Sequence, residues 1–343
     1  MEIFRVGVSP HIHGEDSTRQ MMMDVLIALF PSLTWGVYLF GFRALTVTLL
    51  SLVSFVLFEA LGKVLFKREV PLHDLSAVVS GAIFAMILPV SIPLWIIPLG
   101  AFFAMVVVKG LFGGIGKNFL NPALCAKAFL YLSFPKFFEE YTLPFAKLNP
   151  FAVTLSEGAL KEAKAETTLD LLKEGTLPTE SLSDLFYGNT AGNIGQVSAL
   201  LLLAGLLYLL VRGVFTWHIP VAFLSVSALL FLIFPMAEPA FPALLPTLLA
   251  GALPMAAVFL TTDPVTTPVT GIGKILFGLL AGIFTFLFRR FTGITEDVTF
   301  AVLSANLFVW YLDRLFIPRP YGAPKFFEKN PAFALLSQKG DKK

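Results

Sequence analysis

AIFAMILPVSIP, Ala82 to Pro93, aligns without gaps on AVFLTTDPVTTP, Ala257 to Pro268. The shared core is Pro-Val, a hydroxyl residue, one further residue and Pro, spanning Pro89 to Pro93 and Pro264 to Pro268. Proline removes a backbone donor and breaks a helix, so each copy reads as an apolar half-helix running into an irregular turn. Interrupted segments at matching places in two halves of a membrane chain mark an internal repeat with a binding site at the breaks. Hydropathy supplies the halves: about ten apolar spans at 24–42, 44–63, 76–92, 94–112, 120–135, 197–213, 217–235, 240–260, 272–289 and 298–316. Each copy ends the third span of its half, and five spans per half invert the second repeat relative to the first. The expected fold is an all-α integral membrane protein of about ten transmembrane helices in two inverted five-helix repeats, with interrupted helices near the midplane.

Composition agrees. The 343 residues are 56% hydrophobic and 14% charged, with 36 Phe and a mean hydropathy of +0.80, against roughly 25% charged in soluble domains. A net charge of +2 from dispersed basic residues gives no reason to expect a nucleic-acid partner. Cys125 is the single cysteine, which excludes an intrachain disulfide and a Cys-ligated cluster built by this chain alone. His11 and His13 read as part of a solvated segment, His73 and His218 are scattered, and no metal site is expected. The first twenty residues are polar and carry no cleavable signal pattern.

The organisation expected is a cytoplasmic N-terminal segment (1–23), a first five-helix repeat (24–135), a polar acidic loop (136–196), a second repeat (197–316) and a cytoplasmic tail (317–343). The excess of Lys and Arg in loops sets the orientation. With both termini inside, Lys63, Lys67, Arg68, Lys117, Arg212, Lys274, Arg314, Arg319, Lys325 and Lys329 fall on the cytoplasmic side. The 136–196 loop is then extracytoplasmic; Arg289 and Arg290 break the rule, with Glu296 and Asp297 close enough to offset them.

Three places carry candidate chemistry. GGIGKNFLNPALCAK, Gly113 to Lys127, brings glycines, lysine and asparagines to the mouth of an apolar span, where broken backbone is tolerated only if buried in protein or lining a cavity. Backbone N–H groups there could cradle a phosphate or a heterocycle edge, and Asn118 and Asn121 offer donors and acceptors; the alternative is a tight loop whose lysine snorkels. Asp263 lies against the end of an apolar span, where it binds a cation, accepts from a cofactor, or stabilises the turn. AKAETTLDLLKEG, Ala163 to Gly175, predicts a short helix starting near Thr167 or Thr168. A threonine there caps the helix or carries a covalently attached phosphate group.

SPHIHGEDSTRQMMMDVLIALFP, DLSAVVSGAIFAMILPVSIPLW, GGIGKNFLNPALCAKAFL, DLFYGNTAGNIGQVSALLLLAGLLYLL and FLTTDPVTTPVTGIGK occur in this order. With these five blocks the chain resembles the D-subunit family of the Rnf electron-transport complex, and through it the B subunit of the sodium-pumping NADH:quinone oxidoreductase. The resemblance covers nearly every residue. It implies a flavin-carrying subunit of a bacterial inner-membrane machine that couples electron flow between ferredoxin and NAD to Na+ or H+ transport, as a relay without acid–base catalysis. It implies FMN esterified through its phosphate to Thr167, with Thr168 the neighbouring hydroxyl. It also implies non-covalent riboflavin near Asn118, Asn121, Pro122 and Asp263, with Gly113, Gly114, Gly116 and Lys117 shaping the pocket. Partners implied are the other Rnf subunits (A, B, C, E and G), a flavin transferase and the lipid membrane. The family's acceptor pattern is Ser or Thr, Gly, Ala, Thr, whereas this chain has Lys164, Ala165, Glu166 and Thr167, and Gln196 stands where relatives carry Glu. A quinone-reducing relative and a urea- or ammonium-type channel are the alternative readings.

Overall fold

The computed structural model describes residues 17–67, 74–114 and 116–316. His11, His13, Arg68, His73 and the tail 317–343 lie outside the described residues. The stretches expected as spans 24–42 and 44–63 are two helical segments of α1 (Thr18–Leu65), separated at Gly41, whose φ of 69° and ψ of −159° are not helical. α2 (Ser76–Met86) stops three residues before Pro89. After the turn, α3 (Ile96–Phe102) continues as a π-helix, Phe103–Gly110. α4 (Pro122–Ser133) begins on Asn121, whose Oδ1 accepts from the amides of Ala123 and Leu124 at 3.0 and 3.4 Å. Pro122 takes the first helical position, where its missing N–H leaves no bond unmade.

The polar interval holds α5 (Glu157–Ala163), α6 (Thr168–Lys173), α7 (Leu182–Tyr187) and a two-residue antiparallel pair, β1 (Tyr141–Thr142) with β2 (Lys164–Ala165). The second half comprises α8 (Ala199–Val211), α9 (His218–Ile233) and α10 (Ala240–Leu249), then α11 (Leu253–Met255), which passes into a π-helix, Ala256–Leu260. α12 (Gly271–Phe291), α13 (Asp297–Asn306) and α14 (Val309–Leu315) complete it.

Among the described residues, Thr18–Leu65, Gly271–Phe291 and Asp297–Leu315 are long and apolar enough to cross a membrane. Ala240–Leu249 with Leu253–Leu260, bent by 62°, is a fourth if taken as one span, and several shorter apolar helices pack among them. Phe42, Leu57, Val211, Phe241 and Phe291 are exposed. So large an apolar surface on a buried core suits lipid rather than water. The chain is a mostly helical, multi-pass membrane protein.

The bundle has two ends. One gathers the start of α1, the 113–121 loop and the 263–270 turn. There Asp24 receives Arg212 Nε and Nη2, both at 3.1 Å, and Tyr208 Oη at 2.9 Å, fastening α1 to α8. The other end is covered by the polar interval, where Lys173 Nζ donates to Ile294 O at 2.7 Å.

A strap at residues 193–196 joins the halves. Ile194 N donates to Leu88 O at 3.2 Å and Gly195 N to Met86 O at 2.9 Å, satisfying carbonyls freed where α2 ends. Ser32 Oγ donates to Gly195 O at 2.9 Å from α1. The approach demands small residues: a Cβ at Gly36 would sit 1.8 Å from Ile194 O, and one at Gly195 2.4 Å from the Met86 side chain.

Buried arginines close the breaks. Arg43 donates to Ile92 O at 2.8 Å and Ala152 O at 2.5 Å, pinning the Pro89 turn to the polar interval. Arg289 donates to Thr247 O and Ala250 O at 2.8 and 3.4 Å, serving carbonyls where α10 stops. An ammonium lacks the guanidinium fork, so Arg43→Lys is expected to cost about 2 kcal/mol, one charged hydrogen bond. Faster proteolysis between residues 145 and 155 would report it; wild-type resistance would show that the fork is dispensable.

Candidate functional site

Two cavities, one toward each end of the bundle, are lined in part by polar side chains. The first has about 720 Å³ of empty space, counting its open mouth. Its wall is largely apolar and includes Asn118, Asn121, Pro122 and Asp263. Asn121 and Asp263 lie 142 positions apart, yet Asn121 Nδ2 donates to Asp263 Oδ2 at 3.3 Å. Asp263 also accepts from Val265 N at 3.2 Å and Thr266 Oγ1 at 3.4 Å, so its carboxylate organises the turn after the second half-helix. It therefore stabilises the turn and faces the cavity at once. Asn118 Nδ2 donates to Leu120 O at 3.1 Å.

Gly113, Gly114, Gly116 and Lys117 do not line this cavity. Lys117 is exposed, and its chain folds over Gly113, where an added Cβ would meet Lys117 Cδ at 2.6 Å. The cation on the wall is Lys109, in the π-helical end of the α3 segment. Its Nζ donates to Glu59 Oε1 and Ser76 Oγ, both at 2.6 Å, and Lys63 shares the same Glu59 oxygen at 3.2 Å. Sequence reasoning passes over Lys109, although a lone lysine in the apolar run MVVVKGLF is itself a signal.

The second cavity has about 570 Å³ of empty space, open mouth included. Thr167 and Thr168 form part of its wall, with Tyr141, Asn193, Gln196 and Glu296. The helix predicted near Thr167 is α6. Thr167 Oγ1 accepts from Asp170 N at 3.2 Å and donates to Asp170 Oδ2 at 2.7 Å, while Thr167 N donates to the same carboxylate oxygen at 3.0 Å, a reciprocal capping box. Esterification of that hydroxyl removes its bond to the carboxylate and leaves the oxygen as cap. Thr168 Oγ1 donates to Glu180 Oε2.

Asn193 Nδ2 donates to Gln196 Oε1 at 2.8 Å, which leaves Asn193 Oδ1 and Gln196 Nε2 buried and unpaired. Burial pushes the Tyr141 phenol well above its usual value, with the charges of Glu296, Asp170 and Asp297 adding to the effect. Burial likewise pushes the Lys173 ammonium down.

Behind this cavity lies a buried charge cluster. Lys127 Nζ, fully buried on α4, lies 2.5 Å from Glu296 Oε2, a close ion pair. Glu296, 3% exposed, also accepts from Thr299 Oγ1 at 3.0 Å. Next along the chain, Asp297 holds Arg289 at 2.5 Å, the local offset expected from the loop charges. Lys127 therefore pairs with Glu296 and Arg289 with Asp297.

The pattern defining the NQR2, RnfD, RnfE family matches residues 5–322. The D subunit of the Na(+)-translocating ferredoxin:NAD(+) oxidoreductase complex of Acetobacterium woodii is 35% identical over 322 residues, covering 93% of this chain and 96% of that protein. The D subunits of the ion-translocating oxidoreductase complexes of Vibrio atlanticus and Cronobacter sakazakii are each 35% identical, over 347 and 349 residues, covering 93% of this chain and 99% of theirs.

Proposed function

The chain belongs to the NQR2, RnfD, RnfE family, and from that premise we propose that it is a membrane subunit of an ion-translocating oxidoreductase complex, relaying electrons between ferredoxin and NAD. Its partners are the other Rnf subunits, A, B, C, E and G, and a flavin transferase. The finer architecture proposed is ten spans in two inverted five-helix repeats in a bacterial inner membrane, with both termini cytoplasmic and the 136–196 interval outside.

One observation carries the relay reading: Thr167 and the Asn121–Asp263 pair border separate cavities toward opposite ends of one bundle. The second cavity suits FMN attached to Thr167, since its wall presents a hydroxyl together with unpaired amide atoms. The first suits riboflavin, being mostly apolar with a few converging polar groups. Bound flavins supply the one-electron chemistry. The chain's own task is to fix their positions, exclude water and set the local charge. In the first cavity Lys109 supplies a positive charge that Glu59 partly balances, and Asp263 holds the turn in place.

Peptide mass spectrometry on chain produced with its native flavin transferase tests the attachment. An FMN phosphoester mass on Thr167, lost in Thr167→Ala, is expected; a fully unmodified peptide would remove the covalent flavin from this reading. Asp263→Asn can keep the bond from Val265 N, gives up the one from Asn121 Nδ2, and removes a charge beside the first cavity. It is expected to lower ion uptake by the assembled complex more than it lowers assembly, and undiminished uptake would contradict the role given to Asp263.

A further inference from the structure

We infer that Asn193 and Gln196 form the edge-recognition subsite of the second cavity, reading a ring N–H and an adjacent carbonyl of an imide-bearing heterocycle. The inference rests on the preceding reading in taking that heterocycle to be a flavin ring.

The argument starts from hydrogen bonds left unmade. Asn193 Nδ2 to Gln196 Oε1, at 2.8 Å, uses one donor and one acceptor of the two amides and fixes them against each other. Closing the pair with a second bond would satisfy both side chains, but that bond is not made, and Asn193 Oδ1 and Gln196 Nε2 stay buried without partners. Buried polar atoms of folded proteins are mostly paired, and leaving them unpaired is costly. Both residues line the cavity that Thr167 borders. These two wall residues thus carry one acceptor and one donor without partners, both just beneath the cavity surface, which a ligand edge meets once the side chains turn toward it. Exchanging oxygen and nitrogen in both amides swaps the roles and keeps the same complement.

The strap holds this complement in place. Ile194 N and Gly195 N are tied to Leu88 O and Met86 O, and Gln196 N donates to Asn193 O at 3.2 Å. The amides are presented on fixed backbone, as a recognition element requires.

The complement also selects a ligand class. A quinone ring has only acceptors, so it would pair with the donor and strand the acceptor. A phosphate dianion fails in the same way. An isoalloxazine edge carries an N3–H flanked by two carbonyls: the N–H donates to one amide oxygen, and a neighbouring carbonyl accepts from the other amide. A flavin tethered through its phosphate leaves that edge free to be read.

The test uses the full chain in detergent with Thr167→Ala, which keeps the cavity free of tethered flavin, titrated with FMN and with 3-methyl-FMN, which lacks the ring N–H. The methylated probe is expected to bind at least tenfold more weakly, equivalent to about 1.4 kcal/mol. That ratio should fall toward one in Asn193→Leu and in Gln196→Leu. Equal binding of the two flavins, a ratio that survives both substitutions, or no saturable FMN binding would overturn the inference. Probe selectivity needs no amide substitution, so a misfolded variant cannot decide the matter. An absent flavin mass on wild-type Thr167 beside an intact methyl penalty removes the tether and keeps the subsite. The converse result keeps the tether and removes the subsite.

Discussion

Lys127→Met is expected to destabilise the protein by about 3–5 kcal/mol, the range for removing one partner of a buried ion pair. The loss comes less from the attraction than from what remains. Glu296 would be an anion in the interior, 3% exposed, with Thr299 as its remaining donor. Asp297, next in sequence, is already committed to Arg289. Because the cost is that of an uncompensated charge, the double variant Lys127→Met with Glu296→Gln should recover most of the stability. Detergent-solubilised chain heated and then sized by chromatography gives the comparison. A single variant as heat-resistant as wild type would show that the pair contributes nothing.

Gly36→Ala should be nearly as damaging, at about 3 kcal/mol, the upper end of ordinary overpacking. The added methyl would lie 1.8 Å from Ile194 O and 2.8 Å from its carbon, so one backbone must move. Ile194 cannot retreat freely, since its N–H is held by Leu88 O. Displacing it also shifts Asn193 and Gln196. The expected signature is therefore double: lower heat resistance and, if Thr167 carries the flavin as proposed, less flavin there per folded chain. Normal flavin content at normal stability would mean that the strap yields without cost.

Much of this architecture is local and so can be read from sequence. Pro89 and Pro264 act on their own turns, and α2 and the Leu253–Leu260 helix both end just ahead of them. Thr167 as a helix cap follows from its neighbours alone. Asn121 and Asp263 each stand out separately, as polar groups in apolar surroundings, but their 3.3 Å contact is tertiary and no local pattern announces it. Gly113, Gly114, Gly116 and Lys117 draw notice by composition, yet none of them lines the cavity. The division of α1 is legible in the hydropathy, which separates 24–42 from 44–63, and Gly41 with its positive φ is where the helix breaks. Lys109 and Lys127 are readable as lysines in apolar runs, but their partners Glu59 and Glu296 lie 50 and 169 positions away and emerge only on folding.

The strap at 193–196 also bears on how movement could travel. Its amides hang on the end of α2, and its carbonyl side rests on α1. Any sliding of those two helices past each other therefore reaches the wall beside Thr167 through main-chain bonds rather than through loose side-chain contact. The polar interval is accordingly stitched to the bundle by its main chain, with the amide pair at the seam, rather than laid on it as a detachable lid.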